Sequence, residues 1–261
     1  MAKKSLKERL KDGETVIGTW NIIPSPTLVE IIGCSGLDFL VIDSEHGPGN
    51  FETAENLARA AEVTGMSPIM RVPDKEVHSI LSALDIGMHG IQVPHVSTKE
   101  EAELIVERAK YYPVGKRGLS PFTRAGKYSL LEHDHAARSN KNTIIVLNIE
   151  GIDGIENLAE ISTVPDIDVI FIGPYDLSQS IGKPGKVNDP EVMKLIKKSA
   201  NILKSNGITC GSFARDEAYL KSLIQCGVKY LTYMVDTAMI LKSYKAFKDF
   251  FDKFTMSKRK R

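Results

Sequence analysis

The chain has 261 residues, 42% of them hydrophobic, and its 34 basic and 33 acidic residues leave a formal charge of +1. So even a balance gives no overall field toward nucleic acid or an anionic membrane, and no run reaches the roughly 18 apolar residues of a membrane-spanning helix. Cys34, Cys210 and Cys226 are odd in number and scattered, which argues against a disulfide framework and for a reducing, cytoplasmic setting.

Residues 1–11 carry five Lys or Arg without the apolar core of a secretory signal, and they read as a short surface helix. Strand-length apolar runs follow at 16–20, 38–42, 68–72 and 90–93, and again at 143–149, 169–172, 209–213 and 230–234. They end in polar, Gly or Pro residues, and Ile144-Ile145-Val146-Leu147 lacks alternation, as a parallel strand covered on both faces does. Amphipathic stretches at 51–64, 99–110 and 190–206 lie between them. Thr98 and Glu101 have capping-box spacing, and Asp189-Pro190 sets an N-cap before a proline at the first helical position. No Pro/Gly/Ser-rich linker divides the chain. Eight βα units in this length predict a single-domain (β/α)8 barrel, the TIM barrel, with a doubly wound open sheet as the alternative. The basic tail at 258–261 reads as a solvated, frayed end.

Barrel enzymes place their chemistry at the C-terminal ends of the strands. There the sequence has Asp43-Ser44-Glu45-His46 after the second strand and Arg71 at the third. Asn148-Ile149-Glu150 ends the fifth, and Gly173-Pro174-Tyr175-Asp176 follows the sixth. Glu150 and Asp176 are hard carboxylate donors on neighbouring strands, suited to Mg2+ or Mn2+, with Co2+ a further option, and two of them leave positions for water and substrate. Either alone would as readily cap a helix or pair with a lysine; their joint placement favours a metal. His46 suits a general base, its intrinsic pKa being near neutral. A structural hydrogen-bonding role is the alternative for His46 and the reading for His78, His89, His95, His133 and His135. Arg71 offers a planar fork for a carboxylate or enolate oxygen, with a rim ion pair as the competing role. Gly115-Lys116-Arg117-Gly118 lacks P-loop spacing and reads as a substrate loop.

Several segments carry a resemblance in combination. They are Gly18-Thr19-Trp20, Val41-Ile42-Asp43-Ser44-Glu45-His46, Met70-Arg71-Val72-Pro73 and Leu84-Asp85-Ile86-Gly87, then Lys116-Arg117-Gly118, Ile149-Glu150 and Phe171-Ile172-Gly173-Pro174-Tyr175-Asp176-Leu177-Ser178, ending at Val235-Asp236-Thr237. In that order they resemble the HpcH/HpaI aldolase family. The resemblance implies a (β/α)8 barrel of the pyruvate/phosphoenolpyruvate superfamily, assembled as a homo-oligomer, a trimer of dimers. It implies a class II aldolase that cleaves 4-hydroxy-2-oxo acids to pyruvate and an aldehyde, small-molecule partners with no nucleic acid or membrane among them. Glu150 and Asp176 match the family's metal ligands, His46 its base, Asp85 the carboxylate partner of that base, and Arg71 its transition-state stabiliser. Asn148, Gly173, Pro174, Tyr175, Trp20 and Phe213 are expected around the substrate. Asn148 stands where the family usually has Gln, Tyr175 where it has a small residue, and Phe213 at an aliphatic position. An oxaloacetate-type decarboxylase, a citrate-lyase-like enzyme and a non-catalytic 2-oxo-acid-binding barrel are the other readings of the same scaffold.

Overall fold

Eight parallel strands close on themselves in chain order in the computed structural model, which describes residues 4–130 and 133–259. They are β1 (Val16–Asn21), β2 (Phe39–Asp43), β3 (Ser67–Arg71), β4 (Gly90–Val93), β5 (Ile144–Ile149), β6 (Val169–Ile172), β7 (Thr209–Ala214) and β8 (Tyr230–Val235). Each expected strand forms within a residue of its expected ends, and the parallel pairing of β8 with β1 excludes the open sheet. The helices are α1 (Leu6–Lys11), α2 (Pro26–Cys34), α3 (Phe51–Val63), α4 (Val77–Asp85), α5 (Lys99–Ala109) and α6 (His135–Asn142). They continue as α7 (Ile152–Glu156), α8 (Leu158–Ile161), α9 (Pro174–Ser180), α10 (Pro190–Ser205), α11 (Glu217–Gln225) and α12 (Asp236–Arg259). The capping box forms as spaced: the Thr98 hydroxyl accepts from the Glu101 N–H while the Glu101 carboxylate accepts from the Thr98 N–H. Asp189 likewise accepts from the Glu191 N–H at the start of α10.

The period-two alternation of the strands builds two cores. Phe39, Val41, Ile69, Ile144, Val146, Val169, Phe171 and Tyr230 fill the barrel, while their neighbours Leu40, Ile42, Met70, Ile145, Leu147, Ile170 and Ile172 pack outward against the helices. One further step along the inward series brings Asp43, Arg71, Gln92 and Asn148 to the last interior layer, so the polarity of the mouth follows from register. Aromatic rings run up to that layer. Phe39 stacks on Tyr230 at 4.1 Å, Tyr230 meets Phe171 edge-on at 6.3 Å, and Phe171 meets Trp20 edge-on at 5.9 Å. A Cβ on Gly18 would lie 2.6 Å from the Phe39 ring and 2.4 Å from its carbonyl oxygen, so glycine is what admits this column beside β1.

The expectation for the N-terminal end of the chain is corrected. The N-terminal helix is not a surface feature: Leu6 and Leu10, each 5% exposed, join the interior cluster, and α1 stoppers the N-terminal end of the barrel. Between them Lys7 donates to the Thr143 carbonyl at 2.6 Å and pairs with Asp168 at 2.9 Å. The fully buried Lys110 donates to the carbonyls of Asn140 at 2.7 Å and Thr143 at 3.3 Å, and burial, reinforced by the charge of Lys7, lowers its pKa to about 8. At the other end, part of the basic tail continues α12 through Arg259, while residues 260–261 lie outside the described residues.

Candidate active site

A cavity of about 350 Å3 opens at the C-terminal ends of the strands. Trp20 reaches it from β1, Asp43 and His46 from β2 and its following loop, and Arg71 from β3. Asn148 and Glu150 reach it from β5, Gly173, Pro174, Tyr175 and Asp176 from the β6–α9 junction, and Phe213 from β7. Ten of the eleven residues singled out in the sequence therefore line one space; the exception is Asp85.

Arg71 is held on several sides. Its Nε donates to Asp43 Oδ1 at 2.9 Å, Nη2 donates to Asp43 Oδ2 at 2.5 Å, and Nη1 pairs with Glu45 Oε2 at 2.9 Å. Its guanidinium lies 4.4 Å from the centre of the Trp20 ring, and Trp20 is itself fixed by donating from Nε1 to the Thr232 hydroxyl at 2.8 Å. Asp43 Oδ1 also accepts the backbone N–H groups of Glu45 (3.0 Å) and His46 (3.2 Å), so one buried carboxylate sets both the Arg71 fork and the turn that carries His46. This bidentate, charge-assisted arrangement is among the stronger ways to lock a guanidinium.

Glu150 is equally constrained. Oε1 accepts from Asn148 Nδ2 at 3.0 Å, and Asn148 Oδ1 in turn accepts from the buried Gln92 Nε2 at 2.8 Å. Oε2 accepts the His95 backbone N–H at 3.1 Å and lies 2.6 Å from His95 Nδ1. The other ring nitrogen of His95 sits 3.0 Å from Glu45 Oε1, so His95 bridges the two glutamates. Burial pushes the Glu150 carboxyl above its ordinary value; Glu45 and Asp176 add to the rise, and His95 and Asn148 oppose it. Gly173 is the neighbour that lets Glu150 take this position, since a Cβ there would come within 3.0 Å of Glu150 Cγ.

Among the described residues no three His, Cys, Asp or Glu side chains converge as a closed metal cage. Glu150 and Asp176 instead supply two oxygen donors at an open mouth, the number with which Mg2+-type ions are commonly held while water and substrate complete the shell. Burial, with a smaller contribution from Glu45 and Asp176, disfavours the charged form of Glu150, and a cation beside it would favour that form. The donor set fits a hard divalent ion.

Asp85 does not meet His46 within the chain. It ends α4, which runs back from the mouth toward the start of β4, and its carboxylate accepts from Arg117 Nη2 at 2.5 Å. Arg117 is thereby placed at the N-terminal end as well, stacked 4.5 Å over Tyr111, and the segment with Lys116 and Arg117 is not a lining of this mouth. His135 makes a structural contact, 3.0 Å from the Tyr111 hydroxyl. Sequence reasoning gave no role to Asp43, Glu45 or Gln92, and it gave His95 a structural hydrogen-bonding role without placing it at this mouth. For Asp43 a signal existed: it is the last residue of β2, in register with Arg71 at the end of β3, so opposite charges were bound to face each other. For His95 none did, because its position depends on a left-handed backbone (φ 55) that returns the ring over Glu150.

Comparison with known proteins accords with this geometry. The profile of the HpcH/HpaI aldolase/citrate lyase family matches residues 17–242. A 5-keto-4-deoxy-D-glucarate aldolase of Escherichia coli (strain K12) is 33% identical over 247 residues, spanning 95% of this chain and 96% of that protein. The crystal structure of the citrate synthase SbnG superposes with a TM-score of 0.87 at 33% identity, covering 96% of this chain and 98% of that one. A family protein from Burkholderia cenocepacia J2315 superposes with a TM-score of 0.90 at 26% identity, covering 95% and 98%. With a barrel, a polar mouth and a sequence matched nearly end to end, the chain belongs to the HpcH/HpaI aldolase/citrate lyase family and is an enzyme of carbon–carbon bond chemistry.

Proposed function

We propose that the chain is a class II aldolase that cleaves 4-hydroxy-2-oxo acids to pyruvate and an aldehyde, using a divalent ion held by Glu150 and Asp176. Mg2+ or Mn2+ is the expected ion, with Co2+ an alternative. The observation that carries this reading is the convergence of those two carboxylates with Arg71 and His46 on one cavity. When bound, such an ion draws electrons from the 2-oxo group of the substrate. His46 takes the proton of the C4 hydroxyl as the C3–C4 bond breaks, and the electron pair of that bond passes into the pyruvate enolate. Arg71, immobilised by Asp43 and Glu45, keeps N–H groups for the enolate oxygen, where charge develops only as the bond opens. A proton delivered to C3 completes pyruvate.

Because Asp85 and His46 lie at opposite ends of one barrel, the dyad implied by the family pattern forms between copies. Exposed apolar side chains support self-association: Tyr244, Phe247 and Phe250 on α12 are 73%, 68% and 66% exposed, and Tyr112, Leu119 and Phe122 stand out near the Asp85 end. A trimer of dimers is the assembly that the resemblance favours. No helix among the described residues is long and apolar enough to cross a membrane, and the three cysteines are free thiols, which supports a cytoplasmic setting.

Pyruvate release from a 4-hydroxy-2-oxo acid, followed by coupled reduction with lactate dehydrogenase, tests the reading directly. Exhaustive chelation and Glu150→Ala are each expected to lower the rate at least about 100-fold. An undiminished rate in either case overturns it.

A further inference from the structure

The mouth has two unlike sides. Asp43, His46 and Arg71 occupy the β2–β3 side, and β6–β7, diametrically across an eight-stranded barrel, carries Tyr175 and Phe213. The rings of Tyr175 and Phe213 contact each other with centres 5.8 Å apart and planes tilted by 58°. Tyr175 is 44% exposed and Phe213 half-buried, so together they present an aromatic wall beside Asp176 in the lining of the cavity. An apolar or aromatic group seated there keeps both ring faces out of water.

Charge points the same way. Asp43, Glu150 and Asp176 line the cavity, and its cationic lining residue, Arg71, is already opposed by the two carboxylates of Asp43 and Glu45. These lining charges sum to −2, so one divalent ion neutralises them and the pyruvate carboxylate already leaves the site negative, and the lining holds no further Lys or Arg for a second carboxylate. Arg215, which follows β7 on the same rim, is outside the lining and pairs with Asp216 at 3.2 Å. A glucarate, the substrate class in the name of the E. coli relative, has a carboxylate at each end. An anionic aldehyde fragment would place its charge against Tyr175 and Phe213 without a partner.

We propose that the aldehyde handled by this enzyme is uncharged and has an apolar or aromatic body, which packs against Tyr175 and Phe213. The proposal rests on the aldol reading above and deepens it. In the synthetic direction C3 of pyruvate loses a proton, a bond forms from C3 to the aldehyde carbon, and the aldehyde oxygen gains a proton; nothing is oxidised or reduced.

The test uses the full-length protein with Mg2+ or Mn2+ and pyruvate, measuring kcat/KM for acetaldehyde, phenylacetaldehyde and succinic semialdehyde. Phenylacetaldehyde is expected to exceed succinic semialdehyde by at least about tenfold, the scale on which an apolar pocket discriminates. Tyr175→Ala and Phe213→Ala should each lower the ratio of phenylacetaldehyde to acetaldehyde about tenfold, and Phe213→Arg should raise the ratio of succinic semialdehyde to acetaldehyde. Turnover of acetaldehyde with succinic semialdehyde equal or preferred to phenylacetaldehyde overturns the specificity and leaves the aldol reading intact. No turnover of any aldehyde overturns both. Should the variants fail to fold, the wild-type comparison still decides.

Discussion

His95 shows how much of this site depends on single contacts. A left-handed backbone costs a non-glycine residue about 1 kcal/mol, and here it brings both the N–H and the ring Nδ1 of one residue to Glu150 Oε2. Partners of a metal ligand set its orientation, and their loss typically weakens affinity 10–100-fold. His95→Ala is therefore expected to weaken Mn2+ binding by about that factor in titration calorimetry at constant pH; an unchanged affinity would show that Asn148 and the backbone suffice to place Glu150. Glu150 and Asp176 were legible in the sequence as candidate ligands, because Glu and Asp at adjacent strand ends have the right chemistry wherever their rotamers point. Asp43, Glu45, Gln92 and His95 were not, since each acts through what it faces, and facing is settled by register and by one unusual backbone angle.

Among the elements, the strands were readable because each is a buried run that needs no knowledge of its neighbours. Helix α1 was misread for the opposite reason: two leucines among lysines on a six-residue helix do not reveal that the open end of a barrel is waiting for them. The 110–130 segment was equally opaque, as its course is pinned by distant groups, Arg124 meeting both Glu62 and the carbonyls of Ile86 and Gly87. Lys110, which shares the Thr143 carbonyl with Lys7 of α1, makes a pH-dependent contribution. Lys110 titrates near 8 in the folded protein against 10.5 ordinarily. Between those values the unfolded chain holds a proton that the folded one does not, so stability rises with pH across that window. Below about pH 8 both states are protonated and the burial penalty, on the order of 3 kcal/mol, is fully in force. Urea unfolding at pH 7.5 and pH 10 should show this rise in the wild type and a smaller one in Lys110→Met; equal rises would remove Lys110 as its source.

For the whole molecule, the dyad proposed above, with Asp85 and His46 at opposite ends of one barrel, would make catalysis a property of the assembly. Asp85→Ala and His46→Ala proteins, each expected to be impaired alone, should recover activity when unfolded and refolded together. At equal amounts, random pairing of copies leaves about a quarter of the sites with both native groups. A mixture no more active than its separate components would show that no Asp85–His46 dyad operates between copies. The barrel and the residues of its mouth could be read from the sequence, and the family resemblance named Asp85; its place at the far end of the barrel could not be read, because it follows from the course of α4 back from the mouth and from the contact with Arg117.

The plug formed by α1 has a kinetic consequence. With the far end of the barrel closed by Leu6 and Leu10, substrates and products share one opening, and on the proposed reading the aldehyde fragment sits against the exposed Tyr175 while pyruvate sits at the buried Glu150. The fragment seated deeper must then arrive first in synthesis and depart last in cleavage. Pyruvate should accordingly inhibit cleavage competitively against the 4-hydroxy-2-oxo acid, and the aldehyde should inhibit it noncompetitively. Product-inhibition plots with the reverse assignment would mean that the aldehyde has a second way out.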